Sequence, residues 1–172
     1  MDQAYCDALR FAFDYEEKGE KYYREAAAKT GDKFAKKTLL FLADEEVEHI
    51  RKIEDFNQHM LGVEGFDLDK ECQLTLPDRV EQFIDAEREL AKEKTGLTLT
   101  DLAVYDLAMT TEKHGYELYT EARDTSDDER LKRFFGFLAD EEIIHHKLLA
   151  ASKKYLEDPS YYFEEAGGWI FG

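Results

Sequence analysis

Apolar residues recur along four long stretches of the chain at alternating steps of three and four, the spacing of one face of an α-helix. The first stretch reads Leu9, Ala12, Glu16, Gly19, Tyr23, Ala26, and the second Leu39, Leu42, Glu46, His49, Ile53, Phe56, Met60. The third gives Leu102, Tyr105, Met109, Glu112, then Gly115 or Tyr116, and Tyr119; the fourth gives Phe135, Leu138, Glu142, His145, Leu149, Ser152, Leu156. The pattern predicts helices over about 3–29, 33–60 and 100–124, and a fourth that ends near Glu157, just before Pro159. Thr30-Gly31-Asp32 is the turn between the first two. Ser126-Asp127-Asp128-Glu129 reads as a capping box opening the fourth, with Ser126 at the N-cap and Glu129 three residues on. Short turns of this kind make each pair an antiparallel hairpin.

The two hairpins are copies of one another. Phe41-Leu42-Ala43-Asp44-Glu45-Glu46 recurs as Phe137-Leu138-Ala139-Asp140-Glu141-Glu142, a displacement of 96 positions. The same displacement carries Glu16 to Glu112, Gly19 to Gly115, Tyr23 to Tyr119 and His49 to His145. One constant offset across separated blocks is the signature of an internal repeat. Residues 1–157 then form one domain, with hairpins 3–60 and 100–157 and a crossover 61–99. That crossover is too long to be structureless inside a compact domain. Asp78 can cap a further helix there, with Glu81 at its third position, Gly96 past its end, and Val80, Phe83, Ile84, Leu90 and Ala91 as its apolar stripe. The fold class is therefore all-α: a four-helix bundle with one long crossover, the ferritin-like arrangement in which the second and third helices run parallel. Residues 158–172 form a separate tail rich in aromatics, Tyr161, Tyr162, Phe163, Trp169 and Phe171. The tail is expected to pack on the bundle or a sister subunit, or to dock a partner.

Each apolar stripe is interrupted at its middle by ionisable groups. Buried charge without a partner is severely unfavourable, so these groups need partners, protons or a metal. Residues three apart on a helix share a face with Cβ atoms about 5–6 Å apart. Glu46-x-x-His49 and Glu142-x-x-His145 can thus each present two donors to one centre. One Glu from each of two helices, plus Glu-x-x-His from each of the other two, is the donor set of di-iron and di-manganese carboxylate bundles. Glu16, Glu46, His49, Glu112, Glu142 and His145 are accordingly the expected metal ligands. Four carboxylates balance two divalent ions, which suits a buried site. Sequence does not choose the metal: two Fe ions are the leading assignment, with Mn or Zn as substitutes. Tyr23 and Tyr119 lie seven residues, roughly 10 Å along the axis, beyond Glu16 and Glu112. Their phenols are placed to hydrogen-bond a ligand carboxylate of another helix or to pass an electron. Glu20, Glu45, Glu48 and Glu141 read as solvated or outer groups, and His59, His114 and His146, which lack repeat partners, as surface or packing residues.

Composition narrows the function further. A formal net charge of -17 excludes a nucleic-acid binder, which needs Lys and Arg to replace phosphate counterions, and disfavours an anionic membrane surface. No apolar run approaches the roughly 20 residues of a membrane span. The N-terminus lacks the basic start and apolar core of a signal peptide, which points to the cytoplasm. Cys6 and Cys72 are the only cysteines. They cannot build a thiolate zinc or rubredoxin-type iron site, and reduced packing thiols are the expectation for a cytosolic chain.

Through Glu16, Glu112, Glu46-x-x-His49, Glu142-x-x-His145 and the two tyrosines, nearly the whole chain resembles the rubrerythrin family of the ferritin-like superfamily. The resemblance implies a non-haem di-iron site, often in homodimers, that reduces hydrogen peroxide with electrons from outside. Two departures stand out. Typical rubrerythrins carry a further carboxylate three residues after the third-helix Glu, which takes part in iron movement; here that position is Gly115. They also carry a rubredoxin-like domain with four cysteines, which this chain lacks, so turnover calls for an external electron-donor protein, rubredoxin-like or other. The functional expectation is a di-iron oxidoreductase acting on peroxide or dioxygen. The alternatives are a non-enzymatic iron-binding or ferroxidase-type storage protein, and a bundle scaffold that docks a partner through its tail.

Overall fold

The computed structural model describes residues 3–61 and 101–158. They form four helices: α1 (Gln3–Lys29), α2 (Lys33–Leu61), α3 (Asp101–Thr125) and α4 (Glu129–Glu157). Each agrees with the periodicity to within a residue or two. The expected crossover helix and the aromatic tail lie outside the described residues.

The two hairpin turns are built alike. At Thr30-Gly31-Asp32, the Thr30 hydroxyl accepts from the Asp32 amide at 3.2 Å, and Asp32 Oδ1 accepts from the amides of Phe34 and Ala35, each at 2.8 Å. These amides open α2 and have no intrahelical acceptor, so the carboxylate caps them. In the second turn the Ser126 hydroxyl accepts from the Asp128 amide at 3.3 Å, and Asp128 Oδ1 accepts from the Arg130 amide at 2.8 Å. The N-cap of α4 is therefore Asp128, in extended backbone at φ -89°, ψ 117°, and not Ser126. The capping-box expectation is corrected here: Ser126 braces the turn and Asp128 caps the helix. The C-cap of α4 is Asp158, whose amide donates to the Lys154 carbonyl.

The helices pack most extensively within the hairpins; between hairpins, α1 meets α3 and α2 meets α4. Tyr15 and Tyr22 of α1 donate to the carbonyls of Thr111 and Val104 of α3, so these two helices are antiparallel. Ring contacts Phe34–Tyr155 and Phe56–Phe134, at 4.6 and 4.1 Å between centroids, make α2 and α4 antiparallel as well. It follows that α2 and α3 run parallel, as a long crossover requires.

Two apolar clusters fill the interior. One is built around Leu9, Ala12, Ile53, Tyr119, Phe135 and Leu138, the other around Tyr23, Leu39, Leu42, Tyr105, Ala108 and Leu149. On every helix the expected metal-ligating residues fall between the two clusters, so apolar plugs close the site from both ends. In α3 the stripe differs slightly from the sequence reading. Tyr105, Ala108, Glu112, Gly115 and Tyr119 are buried, Met109 and Leu102 are only half-buried, and Tyr116 is exposed.

One expectation is overturned. Cys6 is buried at the start of α1 and disulfide-bonded, not reduced; the only other cysteine of the chain, Cys72, lies outside the described residues. A disulfide requires Cα atoms within about 7 Å, which is a property of the fold and not of the sequence spacing. Among the described residues, no helix is long and apolar enough to cross a membrane.

Candidate metal centre

All six expected ligands are buried at the centre of the bundle: Glu16 from α1, Glu46 and His49 from α2, Glu112 from α3, and Glu142 and His145 from α4. Glu16 and Glu112 come from the adjoining helices α1 and α3, and the two Glu-x-x-His pairs from the adjoining helices α2 and α4. The imidazole rings of His49 and His145 lie nearly parallel, 5.1 Å apart between centroids. His49 Nδ1 is 3.3 Å from both Glu16 Oε2 and Glu46 Oε2. His145 Nδ1 is 3.4 Å from Glu112 Oε2 and 3.7 Å from Glu46 Oε1.

Three overlapping groups, Glu46–His49–His145, Glu16–His49–Glu142 and Glu112–Glu142–His145, each bring one donor atom per residue within 4.8 Å of the others. Most of these approaches lack hydrogen-bond geometry. Glu46 Oε2, Glu112 Oε2, Glu142 Oε1, His49 Nε2 and His145 Nδ1 are buried without a hydrogen-bond partner. Five orphaned atoms in one place is far outside the usual economy of a folded interior. Carboxylate oxygens and imidazole nitrogens in this number are the donor set of a first-row divalent metal, so the residues present fit a two-metal centre.

Glycines and tyrosines shape the pocket around these donors. A Cβ added at Gly19 would meet Glu46 Cδ at 3.4 Å, and one at Gly115 would meet Glu142 Cδ and Tyr15 Cε1 at 2.9 Å. In each hairpin, then, the first helix supplies a glycine against which the second helix lays its ligand carboxylate. The tyrosines cross between hairpins. Tyr119 O–H donates to Glu16 Oε1 at 2.5 Å, and Tyr23 O–H donates to Glu112 Oε1. Each of the two lone glutamates is thus held from the opposite hairpin, with its other oxygen turned toward a histidine.

Electrostatics describe the metal-free cluster as a store of protons. Burial, together with repulsion from Glu16, pushes Glu46 up to about 8. Burial and the charge of Glu112 raise Glu142 well above the ordinary carboxylate range. Burial also opposes charge on Glu16, but hydrogen bonds with Glu46, His49 and Tyr119 outweigh it, and its pKa falls. Burial disfavours charge on His49 too, yet Glu16 and Glu46 outweigh that and raise it to about 10. His145 is raised in the same way by Glu112 against the cost of burial. Protons on Glu46, Glu142 and the two histidines do the neutralising that divalent ions do when bound.

One neighbour went unrecognised in the sequence. Tyr15 donates to the Thr111 carbonyl at 2.5 Å and stands edge-on to Tyr119, 6.0 Å between ring centroids. Its repeat counterpart is Thr111, so an offset search passes over it. Glu141, read as an outer residue, is half-buried with Oε2 3.6 Å from His49 Nε2 and 3.7 Å from Lys52 Nζ. His59 is exposed and contacts the Asp55 carbonyl at 2.8 Å; His114 and His146 are half-buried. None of these three joins the donor groups.

Fold and site together define a ferritin-like helical bundle with a buried carboxylate–histidine cluster suited to a metal. Residues 7–153 match the Rubrerythrin family model, and the chain belongs to that ferritin-like di-iron family. Among solved structures, a hypothetical protein from Pyrococcus furiosus is similar at 22% identity and a TM-score of 0.59, covering 89% of this chain and 90% of its own. At that identity the likeness speaks for the fold alone. No curated protein matches the sequence.

Proposed function

We propose that the protein is a non-haem di-iron oxidoreductase that reduces hydrogen peroxide or dioxygen with electrons from a separate donor. The observation that carries this reading is the buried set of six donors, five of them with an orphaned atom, between two apolar clusters. Glu16, Glu46, His49, Glu112, Glu142 and His145 hold the ions. Tyr119 and Tyr23 fix the orientation of Glu16 and Glu112 through their hydrogen bonds, the orienting role that groups behind a metal ligand commonly play. The apolar plugs keep bulk water from the ligands. When bound, a pair of iron ions supplies the two electrons that the oxidant takes up. The two cysteines of these 172 residues cannot form a rubredoxin-type centre, so the re-reducing electrons enter from a group beyond them.

Gly115 favours a second reading of the same site. The niche that a fifth carboxylate would need is filled by Glu142 and the Tyr15 ring. A centre with four carboxylates and no mobile fifth is suited to ferroxidase or oxidase chemistry, with no preference for peroxide. Stopped-flow oxidation of the diferrous protein separates the two. Faster oxidation by hydrogen peroxide than by dioxygen supports the peroxide-reducing reading, while equal or reversed rates support the ferroxidase one. Iron uptake well beyond two ions per chain, in a cage-like assembly, would instead identify a storage protein.

A further inference from the structure

The repeat breaks at one place directly beside the metal centre. His49 and Lys52 lie one turn apart on α2, and Phe137 and Glu141 lie one turn apart on the adjoining α4. Glu141 Oε2 is shared between the two α2 residues, 3.7 Å from Lys52 Nζ and 3.6 Å from His49 Nε2. Lys52 Nζ in turn sits 4.5 Å from the centroid of the Phe137 ring. His49 Nδ1 is turned the other way, toward Glu16 and Glu46, while its Nε2 is buried without a hydrogen-bond partner. With Nδ1 given to a metal, the ring proton sits on Nε2. Glu141 is the acceptor in reach there, a few tenths of an ångström beyond hydrogen-bond length.

The displacement of 96 positions maps these four residues onto His145, Leu148, Phe41 and Glu45. The histidine, the phenylalanine and the glutamate are kept, but the lysine becomes a leucine. Leu148 packs against an apolar cluster and has no charge with which to draw a carboxylate across. Among the described residues, the carboxylates within ion-pair distance of His145 are those of Glu46 and Glu112, both expected ligands themselves. Glu45 is not one of them. The two imidazoles therefore enter the centre with different backing, although the six donors match in pairs.

We propose, on the two-metal reading above, that the two metal positions are unequal and that the one served by His49 fills first, because Lys52 holds Glu141 behind that imidazole. Lys52 and Glu141 are positioning residues: neither belongs to the donor groups. A carboxylate that accepts the far N–H of a ligating histidine fixes the ring and raises its basicity, and losing such a partner commonly costs about 10–100-fold in metal affinity. A difference of that size fills one position well ahead of the other at one equivalent of metal.

Cobaltous ion, whose visible absorption reports its ligands, is the probe. Titrated into the metal-free full-length protein, it should bind in two steps, the first at least about 10-fold tighter than the second. Lys52→Leu, which copies the other hairpin, and Glu141→Ala should each weaken the first step by about 10–100-fold and leave the second in place, so that the steps merge. Lys52 and Glu141 are both partly exposed, so urea melts of the metal-free variants should match wild type. Glu45→Ala, the repeat counterpart, should change neither step. Two equal steps in the wild type, a loss spread over both steps in the variants, or an equal effect of Glu45→Ala would overturn the inference and leave the metal centre standing. A chain that takes up no cobalt would overturn the metal-centre reading itself, and the inference with it.

Discussion

Gly19 and Gly115 occupy equivalent places in the two hairpins, yet alanine should act on them in opposite directions. Alanine in a helix interior gains about 0.5–1 kcal/mol over glycine, because the unfolded chain has less freedom to lose. At position 19 that gain is kept, since the nearest atom to the new methyl is Glu46 Cδ at 3.4 Å, an ordinary contact. At position 115 the methyl arrives 2.9 Å from both Glu142 Cδ and Tyr15 Cε1. Neither neighbour yields easily: Glu142 is fully buried, and the Tyr15 ring is tethered by its hydrogen bond to Thr111. Overpacking of this kind costs about 1–3 kcal/mol. The propensity gain is common to both variants, so their stabilities should differ by that same 1–3 kcal/mol, with Gly19→Ala the more stable. Urea denaturation of the metal-free proteins, side by side at one pH, measures the gap. Equal stabilities, or a more stable Gly115→Ala, would refute the reasoning that the niche beside Glu142 is already full.

Other outcomes follow from the same geometry. Tyr119→Phe removes the tyrosine hydrogen bond to Glu16 and should cost about 1.5–3 kcal/mol in urea melts, the value of a hydrogen bond to a charged group; a change under 0.5 kcal/mol would contradict it. The metal-free fold should weaken as pH rises. Glu46 goes from 4.5 unfolded to about 8 folded, so the folded state holds a proton that the unfolded state has released, and stability drains away between those values. His49, raised from 6.5 to about 10, acts in the same direction at higher pH, and Glu16, whose pKa is lowered, acts oppositely only in acid. Melting temperatures of the metal-free protein should therefore fall from pH 5 to 9, and a rise across that range would contradict the picture. Divalent metal binding near pH 7 should release protons, those of Glu46 and His49 first, held at about 8 and about 10, and calorimetry in buffers of different ionisation enthalpy counts them.

Much of this architecture is written in the chain, for physical reasons that can be named. Long helices with few breakers leave a 3.6-residue stripe that marks the buried face, and charges in that stripe are costly enough to mean chemistry. The displacement of 96 positions then turned two weak Glu-x-x-His motifs into one set, and the structure gathers all six groups between the apolar clusters. The misses have physical causes as well. Ser126 looked like the cap because the capping-box pattern fits it, while the repeat itself, which aligns Asp128 with the true cap Asp32, held the better information. In α3 several large residues share two adjoining faces, so periodicity could not choose between Gly115 and Tyr116; packing against Glu142 chose the residue without a side chain. Tyr15 breaks the repeat, and the disulfide of Cys6 depends on a distance that sequence spacing does not encode. Gly115 reads from sequence as a missing carboxylate, and only the structure shows its place taken by Tyr15 and Glu142.

Metal content tests the central claim most directly. Protein purified without oxygen and reconstituted with ferrous iron should hold two irons per chain, and Glu46→Ala and Glu142→Ala should each lose metal while their helical content is retained. A wild-type chain that binds no transition metal, or variants that bind as much as wild type, would contradict the account.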